Sequence, residues 1–184
     1  DALRKIGSCG KPVLYNEVQI VDDKLKKVGV DEVGQLIVRG PNVTPGYWGS
    51  SEANETDFSD GWLKTGDAAK VDREGYFYIV DRIKDMFISG GENVYPAEIE
   101  NVLYELPGIL EVAVIGIRDE KWGEVGMAVV VCNPQLVLEE RAILDHCSKH
   151  LAKYKVPKRV VFTAEIPKTA SGKIQKTLLL DLFE

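Results

Sequence analysis

A lysine closes the segment Lys168-Thr169-Ala170-Ser171-Gly172-Lys173, where a Ser-Gly pair leaves it free to bring a compact positive charge to an oxyanion. The segment fails the P-loop pattern twice: Pro167 stands where the first glycine belongs, and Ile174 follows Lys173 in place of a magnesium-holding Ser or Thr. Asp67, after Thr65-Gly66, offers a carboxylate that can accept hydrogen bonds from vicinal sugar hydroxyls, and Arg82 offers a guanidinium to phosphate or ribose. Taken singly, these three fit equally well a solvated loop lysine, a turn aspartate and a surface-paired arginine. His146 and His150 stand four apart on a predicted helix and share a face. Cys147 follows His146, so the His-Glu-x-x-His pattern is absent, and the chain has no third histidine. A surface pair is the expectation and no metal site is predicted. Neither a Gly-x-Ser-x-Gly elbow nor a Gly-x-Gly-x-x-Gly fingerprint is present.

These residues must be positioned by two segments of different character. Up to residue 81 the pattern is β-rich: Val13 to Val21 with a turn at Asp22-Asp23, Gly34 to Gly40, a helical turn over Ser50 to Thr56, then a hairpin of Ala68 to Val71 and Tyr76 to Val80 around Asp72-Arg73-Glu74-Gly75. Asp81 to Asn93 is the joint. It carries charged residues around Ile83, a short strand over Met86 to Ile88, and Gly90-Gly91, which can hold positive φ and admit a ligand close to the main chain. On its residues alone it also reads as a β-hairpin with a glycine-rich exit.

Beyond Gly91 helix and strand alternate. Pro96 starts a helix whose Ile99, Val102, Leu103 and Leu106 form one stripe, ended by Pro107-Gly108. Leu110 to Ile117 and Val125 to Cys132 are strands apolar on both faces, as a sheet covered by helices requires. A helix over Glu139 to Leu151, a strand over Arg159 to Thr163 and a helix over Ile174 to Phe183 complete the pattern.

The 184 residues suffice for one large or two small domains, and 45% hydrophobic with 28% charged residues excludes a disordered chain. No apolar run approaches a membrane span and the N-terminus lacks a signal-peptide core, so a cytoplasmic location is expected. Cys9, Cys132 and Cys147 are widely spaced and suit reduced thiols. The net charge of −6 is unevenly spread: residues 149–176 carry +7, which leaves −13 for the rest. A basic end of this kind suits a polyphosphate or nucleic acid, although a solvated basic face has the same charge. Tyr154 and Phe162 lie in it without any nucleic-acid motif, so no nucleic-acid partner is expected.

Order and spacing add what single residues lack. Gly34 to Pro41 with Gly46-Tyr47-Trp48, then Gly61-Trp62 with Thr65-Gly66-Asp67, then Asp81 to Glu100, then Ser171-Gly172-Lys173 together resemble the adenylate-forming acyl-CoA synthetase family, closest to fatty-acid and aryl-acid CoA ligases. The resemblance implies an α+β protein. Residues 1–81 match the β subdomain, part of a distorted barrel, that ends the large AMP-binding domain, and residues 82–184 match a small α/β mobile domain with a central sheet flanked by helices. It implies two steps: a carboxylic acid and MgATP form an acyl-adenylate and pyrophosphate, then the CoA thiol displaces AMP. By position, Asp67 and Arg82 match the ribose-contacting pair, Lys84 the hinge residue, and Lys173 the lysine that bridges acyl carboxylate and phosphate oxygens. Ser89, Gly90, Gly91, Glu92 and Asn93 match the loop lining the pantetheine tunnel. Trp122, Tyr154 and Lys158 match residues serving CoA, while Val156 departs from a basic position found in some relatives.

The family's Ser/Thr/Gly-rich pyrophosphate loop, its Tyr-Gly-x-Thr-Glu motif and the acyl-pocket region have no counterpart here. The expectation is a C-terminal portion of a longer synthetase, with Mg2+ held mainly outside it and no adenylation by this chain alone. The alternatives are an aryl-acid ligase, another adenylate-forming domain with a carrier-protein acceptor, and an anion-binding module without catalysis.

Overall fold

Residues 3–136 and 138–183 are described by the structure, a computed structural model. The polypeptide divides after Lys84 into two units, Asp1–Lys84 and Asp85–Glu184. The last strand of the first unit runs through Arg82 and keeps that residue with its neighbours.

The first unit contains β1 (Glu17–Val21), β2 (Gly34–Arg39), α1 (Ser51–Asp57), β3 (Phe58–Ser59), β4 (Trp62–Val71) and β5 (Phe77–Arg82). They form a curled antiparallel half-barrel in the order β1-β2-β4-β3, with β5 also on β4. Ile20, Leu36 and Ala69 fill its core. The strand predicted from Val13 begins only at Glu17. Asn16 N–H donates to Val13 O at 3.1 Å and Tyr15 takes a φ of 66°, so the chain turns there. Val13 and Tyr15 are exposed, and no burial rewards extension.

Asp72 organises the β4–β5 turn. Its Oδ1 accepts the N–H groups of Glu74 and Tyr76 at 2.9 and 3.0 Å, and its Oδ2 accepts Lys5 Nζ at 2.6 Å. The Lys5 hydrogen bond, followed by these backbone donors, lowers the Asp72 carboxyl to about 2. Since the unfolded value is ~3.9, the stabilisation is complete above that value and is lost as pH falls through about 2. Asp72→Asn keeps the turn acceptor and removes the charge. The variant should melt below the parent at neutral pH, and the gap should shrink between about pH 4 and pH 2 in thermal melts.

The second unit begins in the 3-10 turn Ile83–Asp85 and continues through β6 (Phe87–Ser89), β7 (Glu92–Val94), α2 (Pro96–Tyr104), β8 (Ile109–Asp119), β9 (Gly123–Cys132), α3 (Glu140–His150), β10 (Arg159–Phe162) and α4 (Lys176–Phe183). The sheet runs β10-β9-β6-β7, with β8 also on β9; β10 is parallel to β9 and the other pairs are antiparallel. Successive strand residues face opposite sides, which sorts the centre of the sheet into two cores. Val112, Val114, Ala128 and Val130 meet Ile99 and Leu103 of α2 and Ile143 and Cys147 of α3. Ala113, Ile115, Met127 and Val129 meet Leu179 of α4 and Ile166, in the stretch between β10 and α4, on the other face. Burial pushes the Cys147 thiol up to about 11.

Gly116 lies against Phe87, where a Cβ would fall 2.4 Å from the Phe87 Cβ; glycine is what lets β8 approach β6. The final helix starts at Lys176 instead of Ile174, because Ile174 forms a bridge with Lys168 and packs into the second core. The α+β class expected from the sequence is the one observed. Cys9, Cys132 and Cys147 are free thiols, and no helix among the described residues is long and apolar enough to cross a membrane.

Candidate functional site

Thr65-Gly66-Asp67, predicted to precede a hairpin, lies inside β4 as a bulge. Gln35 pairs with Ala68 and Ile37 with Lys64, so three residues of β4 oppose Leu36 alone. The Thr65 hydroxyl donates to Leu36 O at 3.0 Å and accepts Asp67 N–H at 3.1 Å, which fixes the bulge. Gly66 has a φ of 74°, and a Cβ there would sit 3.3 Å from Arg82 Nη2. Asp67 is thereby delivered opposite Arg82 on β5, and Arg82 Nη1 lies 3.0 Å from Asp67 Oδ1. The pair predicted from sequence is brought together, with a carboxylate and a half-exposed guanidinium side by side.

Lys84 is exposed in the 3-10 turn, at the last position of the first unit. After it, the hairpin is not the one expected. The two glycines turn β6 into β7, with Ser89 opposite Glu92 and φ values of 63° and 89° at Gly90 and Gly91. Gly90 N–H donates to Trp122 O at 2.9 Å, and a Gly90 Cβ would fall 2.8 Å from Trp122 Cε3. Gly90→Ala should therefore lose about 1–2 kcal/mol from the left-handed backbone alone and displace the Trp122 ring. Thermal denaturation and Trp fluorescence check this.

Trp122 is set by Asp119, whose Oδ1 accepts Trp122 N–H at 2.8 Å in the β8–β9 turn. Ser89, Trp122, Lys153, Tyr154 and Lys158 line a cavity of about 220 Å3. They come from the β6–β7 hairpin, the β8–β9 turn and the connection between α3 and β10. That connection is held by Lys155 Nζ on both carboxylate oxygens of Glu98, at 2.7 and 2.6 Å, and by Lys158 N–H on Gly126 O at 2.8 Å. Val156 turns inward onto the first core, which accounts for an apolar residue there.

Four residues predicted for one ligand are thus gathered, and Lys153 joins them. Its only signal in the sequence was membership of the basic cluster. Gly91, Glu92 and Asn93 are exposed along the hairpin and do not line this cavity. Aromatic side chains beside two ammonium groups suit an anionic ligand carrying a flat ring.

Lys173 stands apart from the cavity. Thr169 N–H donates to Lys173 O at 2.8 Å and Lys173 N–H to Thr169 Oγ1 at 3.1 Å, closing a small loop with Gly172 at φ 83°. Lys176 Nζ anchors the loop's exit on Glu100 Oε1 at 2.7 Å, and that oxygen also accepts Val114 N–H at 2.8 Å. Glu111 pairs with Lys168 at the loop's start. The exposed Lys173 ammonium has no partner among the described residues. Ile174 ties the loop to the core under α4, whereas Phe87 and Val156 beside the cavity belong to the other core.

A curled antiparallel half-barrel carrying Asp67 and Arg82, joined at Lys84 to a helix-flanked sheet with a lysine loop, is the fold of adenylate-forming enzymes. Residues 98–173 match the AMP-binding enzyme C-terminal domain and residues 1–48 match AMP-binding enzyme, so the chain carries domains of the AMP-binding enzyme family. It is 45% identical, over its whole length, to long-chain-fatty-acid–CoA ligase FadD13 of Mycobacterium tuberculosis, of which it covers 36%. Over 94% of its length it is 50% identical to feruloyl-CoA synthase of an Amycolatopsis species, covering 35% of that protein. The structure of o-succinylbenzoate CoA synthetase from Bacillus subtilis with an acyl-adenylate superposes with a TM-score of 0.91 at 40% identity, over 97% of this chain and 36% of that one. The chain therefore spans about a third of the length of the curated relatives it matches.

Proposed function

We propose that this chain works as part of an acid–thiol ligase that converts a carboxylic acid and ATP into an acyl-adenylate and then transfers the acyl group to CoA. The observation that carries the reading is the cavity, in which Ser89, Trp122, Tyr154 and Lys158 converge from three separate segments with Lys153 beside them. In this reading Lys153 and Lys158 meet CoA phosphate, Trp122 and Tyr154 flank it, and the Ser89-Gly90-Gly91 main chain guides the pantetheine arm past Glu92 and Asn93. Asp67 and Arg82 hold the nucleotide ribose. Lys173 places its charge on the acyl carboxylate and phosphate oxygens as negative charge develops, and Lys84 is the hinge between the two steps. ATP brings Mg2+ with it, and none of this chain's residues is assigned as its ligand.

The acid proposed is a fatty acid, in keeping with the likeness to a long-chain-fatty-acid–CoA ligase. An aryl acid is the second reading, favoured by the 50% identity to a feruloyl-CoA synthase. Steady-state assays of the full-length protein with fatty and hydroxycinnamic acids separate the two. In the same assays Lys153→Ala with Lys158→Ala should raise KM for CoA by roughly tenfold, since each loses a charged hydrogen bond, and leave ATP–pyrophosphate exchange unchanged. An unchanged KM for CoA, or a preference for a holo-carrier protein over free CoA, counts against a CoA acceptor site.

A further inference from the structure

The two histidines of α3, expected from their spacing to be a surface pair, have a third polar residue beside them. His146 and His150 lie with ring centroids 4.4 Å apart and their planes tilted by 40°, and Glu105, the residue that ends α2, joins them. One ligand atom from each of the three lies within 4.8 Å of the others. The carboxylate supplies the third donor that the histidine count alone lacked.

Each imidazole also makes a hydrogen bond to a main-chain carbonyl. His146 Nε2 lies 3.0 Å from Val102 O on α2, and His150 Nδ1 lies 2.9 Å from His146 O. A carbonyl only accepts, so each of these nitrogens is the donor, and in the neutral tautomer that makes this bond the other ring nitrogen is the one that offers a lone pair. Main-chain carbonyls behind imidazoles fix tautomer and ring direction in metal sites in the same way. Glu105 and His150 stand at the C-terminal ends of α2 and α3, where the helix dipoles place negative potential that favours a cation.

From this geometry we infer that Glu105, His146 and His150 form a binding site for a divalent transition metal of the zinc class. Two imidazole nitrogens and one carboxylate oxygen suit Zn2+, with an open fourth position for water, and do not suit the all-oxygen preference of Mg2+. The ion joins the end of α2 to α3, the two helices over the first core. The site shares no residue with the cavity or the Lys173 loop, so it acts on the stability of the second unit and not on the chemistry.

Isothermal titration of Zn2+ into the chelator-treated chain tests this, with Cys9→Ser as background because Cys9 is an exposed thiol. The expected result is saturable binding of one ion per chain that raises Tm. His150→Ala and Glu105→Gln each replace an exposed ligand and should weaken binding by at least about 10–100-fold, the range seen when only an outer partner of a metal ligand is lost, and abolish the Tm rise. Visible absorption of the Co2+ form should show the intense bands of a low-coordinate site and lose them in both variants. Absence of saturable Zn2+ binding, or equal affinity in the parent, His150→Ala and Glu105→Gln, overturns the proposal.

Discussion

Lys173→Ala in the full-length protein is expected to lower acyl-adenylate formation by about 100–1,000-fold, the loss typical of removing one preorganised charge from a developing oxyanion. Thioester formation from synthetic acyl-adenylate should stay within about twofold, as for an exposed substitution without structural role. The structure makes the experiment clean. Lys173 holds its loop through main-chain bonds to Thr169, and the loop is anchored by Ile174, Lys176 and Lys168, none of which alanine at 173 disturbs. Lys173→Arg should restore little, because a planar fork does not replace a compact ammonium between two oxygen ligands. ATP–pyrophosphate exchange reads the first step, and exchange within threefold of the parent would return the chain to the reading of an anion-binding module without catalysis.

Lys84→Pro is expected to separate the two steps in the opposite direction. Residues Ile83–Asp85 form a 3-10 turn; proline at 84 fixes φ near −65° and disfavours the helical region at Ile83, so the substitution restricts the backbone on both sides of the hinge. Thioester formation should fall by about 100-fold, the scale of misplacing a reacting group by an ångström. Adenylation should change far less. Rapid-quench measurement of each half-reaction distinguishes this from a general defect; equal loss of both steps removes Lys84 from the hinge role.

The elements with strong period were legible because burial on two sides leaves little freedom. Ala113 and Val114, or Met127 and Ala128, are both apolar because one faces α4 and the other α2 and α3. The Pro96 start of α2 follows from proline's fixed φ and missing donor, and the structure begins the helix there. Weakly patterned stretches were less legible. Val13 and Tyr15 alternate like strand residues yet lie exposed ahead of β1, and β7 is three residues of which only Val94 is buried. A strand so short is made by the Gly90-Gly91 turn and its partner β6, neither of which has a hydrophobic period.

By itself, the sequence determined the identity of the chemical groups, their order, and the helix and strand periods that carry them. Its motifs marked Asp67, Arg82 and Lys173 as a set, because each is weak alone and their joint order is not. Only the tertiary structure decided which of these meet. Asp67 reaches Arg82 because a three-residue bulge on β4 re-aims it. Ser89, Trp122 and Tyr154 share a cavity, while Glu92 and Asn93, nearer to Ser89 in sequence, do not line it. Glu105 joins His146 and His150 across 41 residues because α2 and α3 cover the same face of one sheet. Local spacing fixes which side of an element a residue occupies; contact between elements depends on the packing of the sheet and on register, and no single segment contains either.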